Sequence, residues 1–258
     1  MSYLTSDLGP SKGFHPISKT TIHLPGLERE SYDECTLHLH FALPPLVFVD
    51  THELAQRSAS YEFRHWGSRD LEKPVHALPD EGADLLLTVP LPFVDGDTDA
   101  GREDGENGLD VYLEVPMHLR YGVPNSSSSS SGNEGTHGHE RIHVDWPQGF
   151  LSCPRSISSW KGNTKSKEGN DGALSLPSRV ASVLPPDNML VAIPPHSDFS
   201  ETASVLYLPV GNTQDLAFVE PVTALTILAC CFWLFRVATK TASRLNANPA
   251  PRPKAKVS

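Results

Sequence analysis

Residues 35–43 read Cys-Thr-Leu-His-Leu-His-Phe-Ala-Leu and carry the clearest structural pattern of the chain. The apolar side chains of Leu37, Leu39 and Phe41 alternate with two histidines, so one face of an extended strand is apolar. Further short apolar runs lie at 46–49, 84–94, 111–121, 189–193 and 204–210. Many short strands separated by proline-rich turns predict a mainly β, sandwich-like domain.

The polar segments between these runs set the expected domain organisation. We predict a flexible N-terminus over 1–12 and one β-rich domain over 13–212. A short helix is expected near 50–57, where Asp50 or Thr51 can cap its first turn. Stretches rich in serine, glycine or acidic residues predict flexible loops within the domain, at 95–110, 125–140 and 155–175.

The most apolar stretch lies near the C-terminus, where residues 216–235 read LAFVEPVTALTILACCFWLF. A bilayer core requires about 20 helical residues, and a snorkelling Arg236 extends this stretch to residue 238. The sequence therefore predicts one transmembrane helix over 216–238. A buried core helix is the alternative interpretation of the same residues.

The charges divide sharply around this stretch. The whole chain has a formal net charge of −10, but residues 1–235 carry −16 and the remainder carries +6. By the positive-inside rule, the basic tail over 239–258 is expected in the cytosol and the β-rich domain in the lumen or outside the cell. The acidic domain excludes a nucleic-acid partner, which requires clustered Lys and Arg. The first 14 residues lack the basic and apolar segments of a signal peptide, so none is expected within them.

Several acidic residues offer a candidate metal site. Asp95, Asp97, Asp99 and Glu106 nearly fit a calcium loop, but Ala100 stands where that loop requires glycine. The same D-x-D pattern occurs in metal-dependent sugar transferases, which is a further hypothesis. The surrounding segment lacks the βαβ pattern of a nucleotide fold, so we predict a solvated loop with no catalytic, cofactor-binding or metal residues.

Histidines form the other candidate metal cluster. His38 and His40 share a strand face, and His137, His139 and His143 lie close together in sequence. Zinc sites use three or four fixed ligands, and no cysteine or carboxylate stands at the required spacing. Solvent-facing or hydrogen-bonded histidines are the favoured interpretation.

The cysteines and one sequon bear on the compartment. Cys230 and Cys231 lie in the predicted span, which leaves Cys35 and Cys153 as one candidate disulfide. The sequence leaves open whether these two cysteines pair. Asn125 begins an N-x-S sequon and is a candidate glycosylation site if its side of the membrane is luminal.

The stretch 113–124 reads Leu-Glu-Val-Pro-Met-His-Leu-Arg-Tyr-Gly-Val-Pro. It resembles the central signature of the PIG-X family, in which a strand ends in the pattern P-x-H-x-R-Y-x-x-P. The resemblance covers about residues 13–235, because four other pieces lie in the order that this family has them. These pieces are 13–15 (G-F-H), 43–54 (ending in V-D-T-H-E-L), 147–153 (P-x-x-x-x-x-C) and 208–211 (L-P-V-G).

The resemblance implies a function as well as a topology. Family members are single-span proteins of the endoplasmic reticulum with a luminal body. They stabilise the multi-span, PIG-M-like mannosyltransferase that adds the first mannose to the GPI-anchor precursor, and they are not catalytic themselves. A membrane-anchored adhesion or receptor-like β domain is the alternative. The motif residues that become candidate partner contacts are Pro116, His118, Arg120, Tyr121 and Pro124.

Overall fold

The computed structural model describes residues 1–25, 35–68, 77, 81–91, 108–124, 138–154 and 174–247. Within these residues the chain forms 12 strands and three α-helices. The strands are β1 Tyr3–Gly9, β2 Ile17–Pro25, β3 Thr36–Leu43, β4 Val47–Phe48, β5 Glu62–Trp66, β6 Ala83–Val89, β7 Gly108–Pro116, β8 His118–Leu119, β9 His139–Asp145, β10 Gln148–Pro154, β11 Asn188–Ile193 and β12 Ala203–Pro209. The helices are α1 Thr51–Ala55, α2 Ser178–Ala181 and α3 Leu216–Ala247.

Antiparallel sheets make up the β-rich unit, which comprises residues 1–123 and 135–210. One sheet has the order β1-β2-β7, and a larger one has the order β11-β10-β3-β6-β5. Two further pairs join β12 to β9 and β4 to β8. A single core cluster contains inward side chains of both larger sheets, such as Ile22, Leu113, Leu37 and Leu87. The prediction of a mainly β, sandwich-like fold is therefore confirmed.

Strand β3 lies at the centre of the larger sheet and is covered on both faces. Leu37, Leu39 and Phe41 enter the main core, as their alternation predicts. The opposite face is also buried, because Phe150, Val180 and neighbouring apolar side chains form a second, smaller cluster there. The two histidines of β3 are consequently buried rather than facing water.

Both of these histidines make side-chain hydrogen bonds, as the hydrogen-bonded interpretation expects, although the buried Nδ1 of His40 has no partner among the described residues. His40 Nε2 lies 2.8 Å from Asp84 Oδ1, and the other carboxylate oxygen of Asp84 accepts a bond from Arg179 Nε. His38 Nδ1 lies 3.2 Å from the hydroxyl of Thr88. Burial lowers the pKa of His38 below its ordinary value of 6.5, and a backbone hydrogen bond with Leu87 opposes that shift.

The lowered pKa of His38 predicts a pH-dependent stability. Below about pH 6.5 the unfolded chain binds a proton at this histidine more readily than the folded chain does, so protonation favours unfolding. The stability that the folded chain gains from keeping His38 neutral is therefore fully present above pH 6.5 and is lost as the pH falls below it. A His38→Gln variant is expected to show a shallower loss of stability between pH 6.5 and 5 in urea titrations. The exposed His143, changed to Gln, serves as the control, and equal slopes in both variants would contradict the prediction.

A disulfide joins the ends of two neighbouring strands of the larger sheet, β3 and β10. Cys35 directly precedes β3 and Cys153 lies in β10, next to the register pair Thr36 and Ser152. The two sulfur atoms lie 2.09 Å apart, and both cysteines are buried. The pairing that the sequence leaves open is therefore made in the structure.

The prediction of a flexible N-terminus over 1–12 is wrong. Strand β1 pairs with β2 along its whole length, from Tyr3 with His23 to Gly9 with Ile17. Its inward positions include Ser6, whose hydroxyl lies 3.0 Å from the hydroxyl of Thr20 and is buried with it. Because a hydroxyl pair fills this inward position, the strand lacks the apolar alternation that would have revealed it.

The three predicted loops lie largely outside the described residues, but the described ends of the loops at 95–110 and 125–140 lie largely in strands. Residues 108–110 belong to β7, where Asp110 Oδ1 lies 2.6 Å from Nδ1 of His23. Residues 139–140 belong to β9. The acidic and polar composition of these ends suits exposed strand positions as well as it suits a loop, which is why composition misplaced the boundaries.

The C-terminal helix α3 is long enough and apolar enough to cross a membrane. It begins at Leu216 after a 3₁₀ turn over Thr213–Asp215, and Pro221 lies in its second turn. The helix continues to Ala247, so part of the predicted basic tail over 239–258 is helical instead. Alanine, lysine, arginine and leucine favour helix, and no glycine or proline interrupts residues 239–247. The remainder of the predicted tail lies outside the described residues.

Candidate functional site

The motif at 116–121 lies where three separate segments of the chain meet. After β7 ends at Pro116, the amide of Met117 donates to the carbonyl of Pro16 at 2.9 Å. The amide of Leu119 donates to the carbonyl of Phe14, and the amide of Arg120 donates to the carbonyl of Leu46. The structure therefore brings together three of the five sequence pieces on which the family resemblance depends.

His118 is held by contacts on each side of its ring. Its Nε2 lies 2.8 Å from Glu53 Oε2, and its Nδ1 lies 2.9 Å from Nδ1 of His15. If Nε2–H donates to the carboxylate, the neutral His118 accepts at Nδ1 and His15 is the donor. Phe48 stacks on the same ring at 5.3 Å between centroids. Three partners thus fix the orientation of His118.

Helix α1 places the carboxylate of this network. Asp50, one of the two caps that the sequence offers, accepts a hydrogen bond from the amide of His52 at 2.8 Å. The cap starts the helix at Thr51 and puts Leu54 into the core. Glu53 then projects from the first turn toward His118.

Arg120 also points into the protein. Its side chain is buried, and its guanidinium carbon lies 4.8 Å from the centroid of the Phe48 ring. This distance permits a cation–π contact, which is stronger where water is excluded. His118 and Arg120 therefore share Phe48 between them and make contacts within the domain, and Pro116 is buried as well.

Tyr121 differs from its neighbours because it faces solvent. It is 78% exposed, and Val123 is 63% exposed. The ring of Phe14 supports Tyr121 from one side, with 4.9 Å between the ring centroids. We call these three residues the Tyr121 patch. Pro124 is exposed too, and Asn125 lies outside the described residues.

Four residues that contact His118 or Tyr121 were not singled out from the sequence. They lie 65 to 107 positions before the residues that they contact, and they are Glu53, His15, Phe14 and Phe48. The signal that could have found them is their membership in the G-F-H and V-D-T-H-E-L pieces of the resemblance. Spacing along the chain could not show that these pieces meet.

The metal candidates do not form a site in the described part of the chain. Asp95, Asp97, Asp99, Glu106 and His137 lie outside the described residues. Among the residues that are described, no group of three or more histidine, cysteine, aspartate or glutamate side chains is placed to hold a metal ion.

Comparison with known proteins identifies relatives for nearly the whole chain. The family model described as PIG-X / PBN1 matches residues 11–239. Protein pbn1 of Neurospora crassa is 26% identical over 242 residues, which cover 89% of this chain and 42% of the relative. Protein pbn1 of Schizosaccharomyces pombe is 31% identical over 131 residues, or 48% of this chain and 35% of the relative. Protein PBN1 of Debaryomyces hansenii is 30% identical over 117 residues, or 45% of this chain and 22% of the relative. The chain spans less than half the length of each of these relatives.

Proposed function

Because this chain belongs to the PIG-X/PBN1 family, we propose that it is a non-catalytic subunit that stabilises GPI mannosyltransferase I. In this role it supports transfer of the first mannose to the GPI-anchor precursor, and its partner is the multi-span catalytic subunit. The family match carries the proposal, because residues 11–239 include most of the β-rich unit and most of the apolar helix.

A single-pass topology in the endoplasmic reticulum membrane is part of the proposal. Helix α3 crosses the bilayer, the β-rich domain is luminal and the C-terminus is cytosolic. The basic side chains of Arg236, Lys240 and Arg244 follow the apolar part of α3 and support this direction by the positive-inside rule. A disulfide between Cys35 and Cys153 suits an oxidising lumen.

The stabilising effect is explained by mass action. A subunit that binds the folded catalytic subunit, and not its unfolded chain, shifts the balance toward the folded state. A free subunit concentration of about 100 times the dissociation constant stabilises the folded partner by about 2.7 kcal/mol. An effect of that size changes the abundance of a marginally stable membrane protein several-fold.

Depletion of this protein in cells tests the role. We expect the catalytic subunit and the surface GPI-anchored proteins to fall together, and both to recover when the chain is expressed again. Unchanged levels of the catalytic subunit would contradict the proposal. Arrival of the protein at the cell surface, seen by microscopy, would favour the adhesion or receptor-like alternative.

We propose the Tyr121 patch as the partner-contacting surface of the domain. Aromatic residues in well-packed interfaces often contribute 2 kcal/mol or more, which is about 30-fold in affinity. A Tyr121→Ala variant is expected to lose most co-purification with the catalytic subunit, while its thermal stability changes by less than about 0.5 kcal/mol.

Tyr112→Ala is the matched control for this variant. Tyr112 lies on β7 and is 57% exposed, but it is outside the patch. Its replacement is expected to leave co-purification intact. Equal losses in both variants, or none in either, would show that the domain contacts its partner elsewhere.

A further inference from the structure

A groove lies on the β-rich unit away from the Tyr121 patch. Its floor is the outward face of the β1–β2 ribbon, where Thr5 stands opposite Thr21 and Asp7 stands opposite Lys19. Its wall is formed by Trp146, which directly follows β9, and by the segment that leads into β12. The groove is open to solvent and has a volume of about 560 Å³, within the range of about 300–1,000 Å³ for small-molecule sites. The lining residues of this wall are Trp146, Phe199, Glu201, Ala203 and Ser204.

Hydrogen bonds hold the aromatic wall in place. The segment 196–202 is attached to β1 through the amide of His196, which donates to the carbonyl of Leu4 at 2.9 Å. At its other end, the carbonyl of Thr202 accepts from the amide of Trp146 at 2.8 Å. Between them, the amide of Phe199 donates to the carbonyl of His196 at 3.1 Å. The wall is therefore built before any ligand arrives.

Two aromatic rings are presented at this wall. Phe199 is 49% exposed, and its ring lies edge-on to Trp146 with 5.2 Å between the centroids. An exposed aromatic ring offers an apolar surface with a negative π face. The C–H groups on one side of a sugar ring carry slight positive charge and are complementary to that face.

The floor supplies donors and acceptors for hydroxyl groups. Within the described part of the chain, no side-chain hydrogen bond occupies the hydroxyls of Thr5, Thr21 or Ser204. Each hydroxyl can both donate and accept, and the carboxylates of Asp7 and Glu201 accept. The two carboxylates disfavour an anion. The ammonium of Lys19 pairs with another carboxylate, because its Nζ lies 4.0 Å from Oε1 of Glu114 on the neighbouring strand. The chemistry favours an uncharged or amine-bearing ligand rich in hydroxyl groups.

An added peptide strand fits this place less well. Leu4 already bonds to the segment 194–196, and the carbonyl of Ser11 accepts from the amide of Tyr207, so both ends of the outer edge of β1 are occupied. Only Ser6 and Leu8 lie between them with backbone groups directed to that edge. Strand addition depends on a longer ladder of main-chain bonds.

We propose that this groove binds a sugar unit, with a ring face packed on Phe199 and Trp146 and its hydroxyls bonded to the threonines, Asp7 and Glu201. The site is separate from the Tyr121 patch and does not depend on the proposed role in mannosyltransferase stabilisation. A single sugar in such an open groove is expected to bind with a dissociation constant on the order of millimolar.

Saturation-transfer NMR on the full chain tests the proposal. The protein is held in a detergent without a sugar headgroup, and the probes are mannose, glucose, glucosamine, N-acetylglucosamine and myo-inositol. We expect transfer to at least one sugar, with a dissociation constant that rises about tenfold in Phe199→Ala. Asp7→Asn is expected to weaken binding as well, and Tyr121→Ala to leave it unchanged.

Each result decides the matter. Transfer that is lost in the groove variants and retained in Tyr121→Ala supports the site. No transfer to any of the five probes, or transfer that the groove variants do not alter, overturns it. Transfer to an extended tetrapeptide of alanine and serine in place of the sugars overturns it in favour of strand addition. The co-purification assay is read separately, so failure of one proposal leaves the other standing.

Discussion

Replacing Cys35 and Cys153 together by alanine is expected to lower the free energy of unfolding of the β-rich unit by about 3–5 kcal/mol. The disulfide links residues 118 positions apart, so in the chain-entropy account its loss frees a very long loop in the unfolded state. For a unit of this size the melting temperature should fall by roughly 6–20 °C. Near-UV circular dichroism of the full chain in detergent, recorded during heating, measures the change.

The chain offers its own control for this experiment. Cys230 and Cys231 lie on helix α3 and are not bonded in the structure. A double change to serine there removes the same number of cysteines without altering any loop in the unfolded chain, so the melting temperature should stay at the wild-type value. Reductant should destabilise the wild-type protein and leave the Cys35 and Cys153 double variant unaffected. A shift of less than about 1 kcal/mol in that variant would show that the disulfide contributes little.

The strands with strong apolar patterns could be predicted from the sequence. β3, β6 and β12 place leucines at inward positions, and each is recognisable as a short apolar run without any partner. β3 also shows a clear period of two. Helix α1 was predictable because its cap is local, with Asp50 bonding two residues ahead. Helix α3 was predictable because its length and composition match a bilayer.

The strands with polar inward positions could not be predicted in the same way. β1 and β2 place Ser6, Ser18 and Thr20 inside, and these hydroxyls bond to one another across the ribbon. A buried hydroxyl costs little when it is paired, so the fold tolerates it, but the pattern then resembles a loop. Whether such a partner exists depends on register, which the sequence of one strand does not contain.

The candidate site was found by its motif, but the role of each residue needed the structure. His118 belongs to a strand of two residues, which is too short for alternation to assign its faces. Only the contacts with Glu53 and Phe48 show that His118 and Arg120 act within the domain, while Tyr121 remains on the surface. His118, which makes contacts within the domain, and Tyr121, which faces solvent, are thus only three positions apart.

Replacing Asp84 by alanine is expected to destabilise the β-rich unit by about 3 kcal/mol. The Asp84 side chain is only 4% exposed, and it accepts from His40 on β3 and from Arg179 on α2. Removing it leaves two donors without their acceptor on the buried second face of the larger sheet. Arg179 is 39% exposed, so water can partly satisfy it, and we therefore expect the lower end of the range for breaking a buried pair. Urea denaturation of the full chain measures the difference.

Glu53→Ala is the matched control, since it removes a second histidine-bound carboxylate. The two pairs have the same distance of 2.8 Å, but Glu53 is 37% exposed and its loss should cost no more than about 1 kcal/mol. Equal costs at the two sites would contradict the argument from burial.

A triple variant then separates the two origins of the cost at Asp84. Changing His40 to Leu, Asp84 to Leu and Arg179 to Met removes every member of the network and leaves no donor unpaired. Buried ionic clusters replaced by apolar residues of similar volume are often neutral or stabilising. We expect the triple variant to be more stable than Asp84→Ala, which would show that the penalty comes from stranded polar groups on the second face. If the triple variant is the less stable of the two, the network itself holds α2 against the sheet.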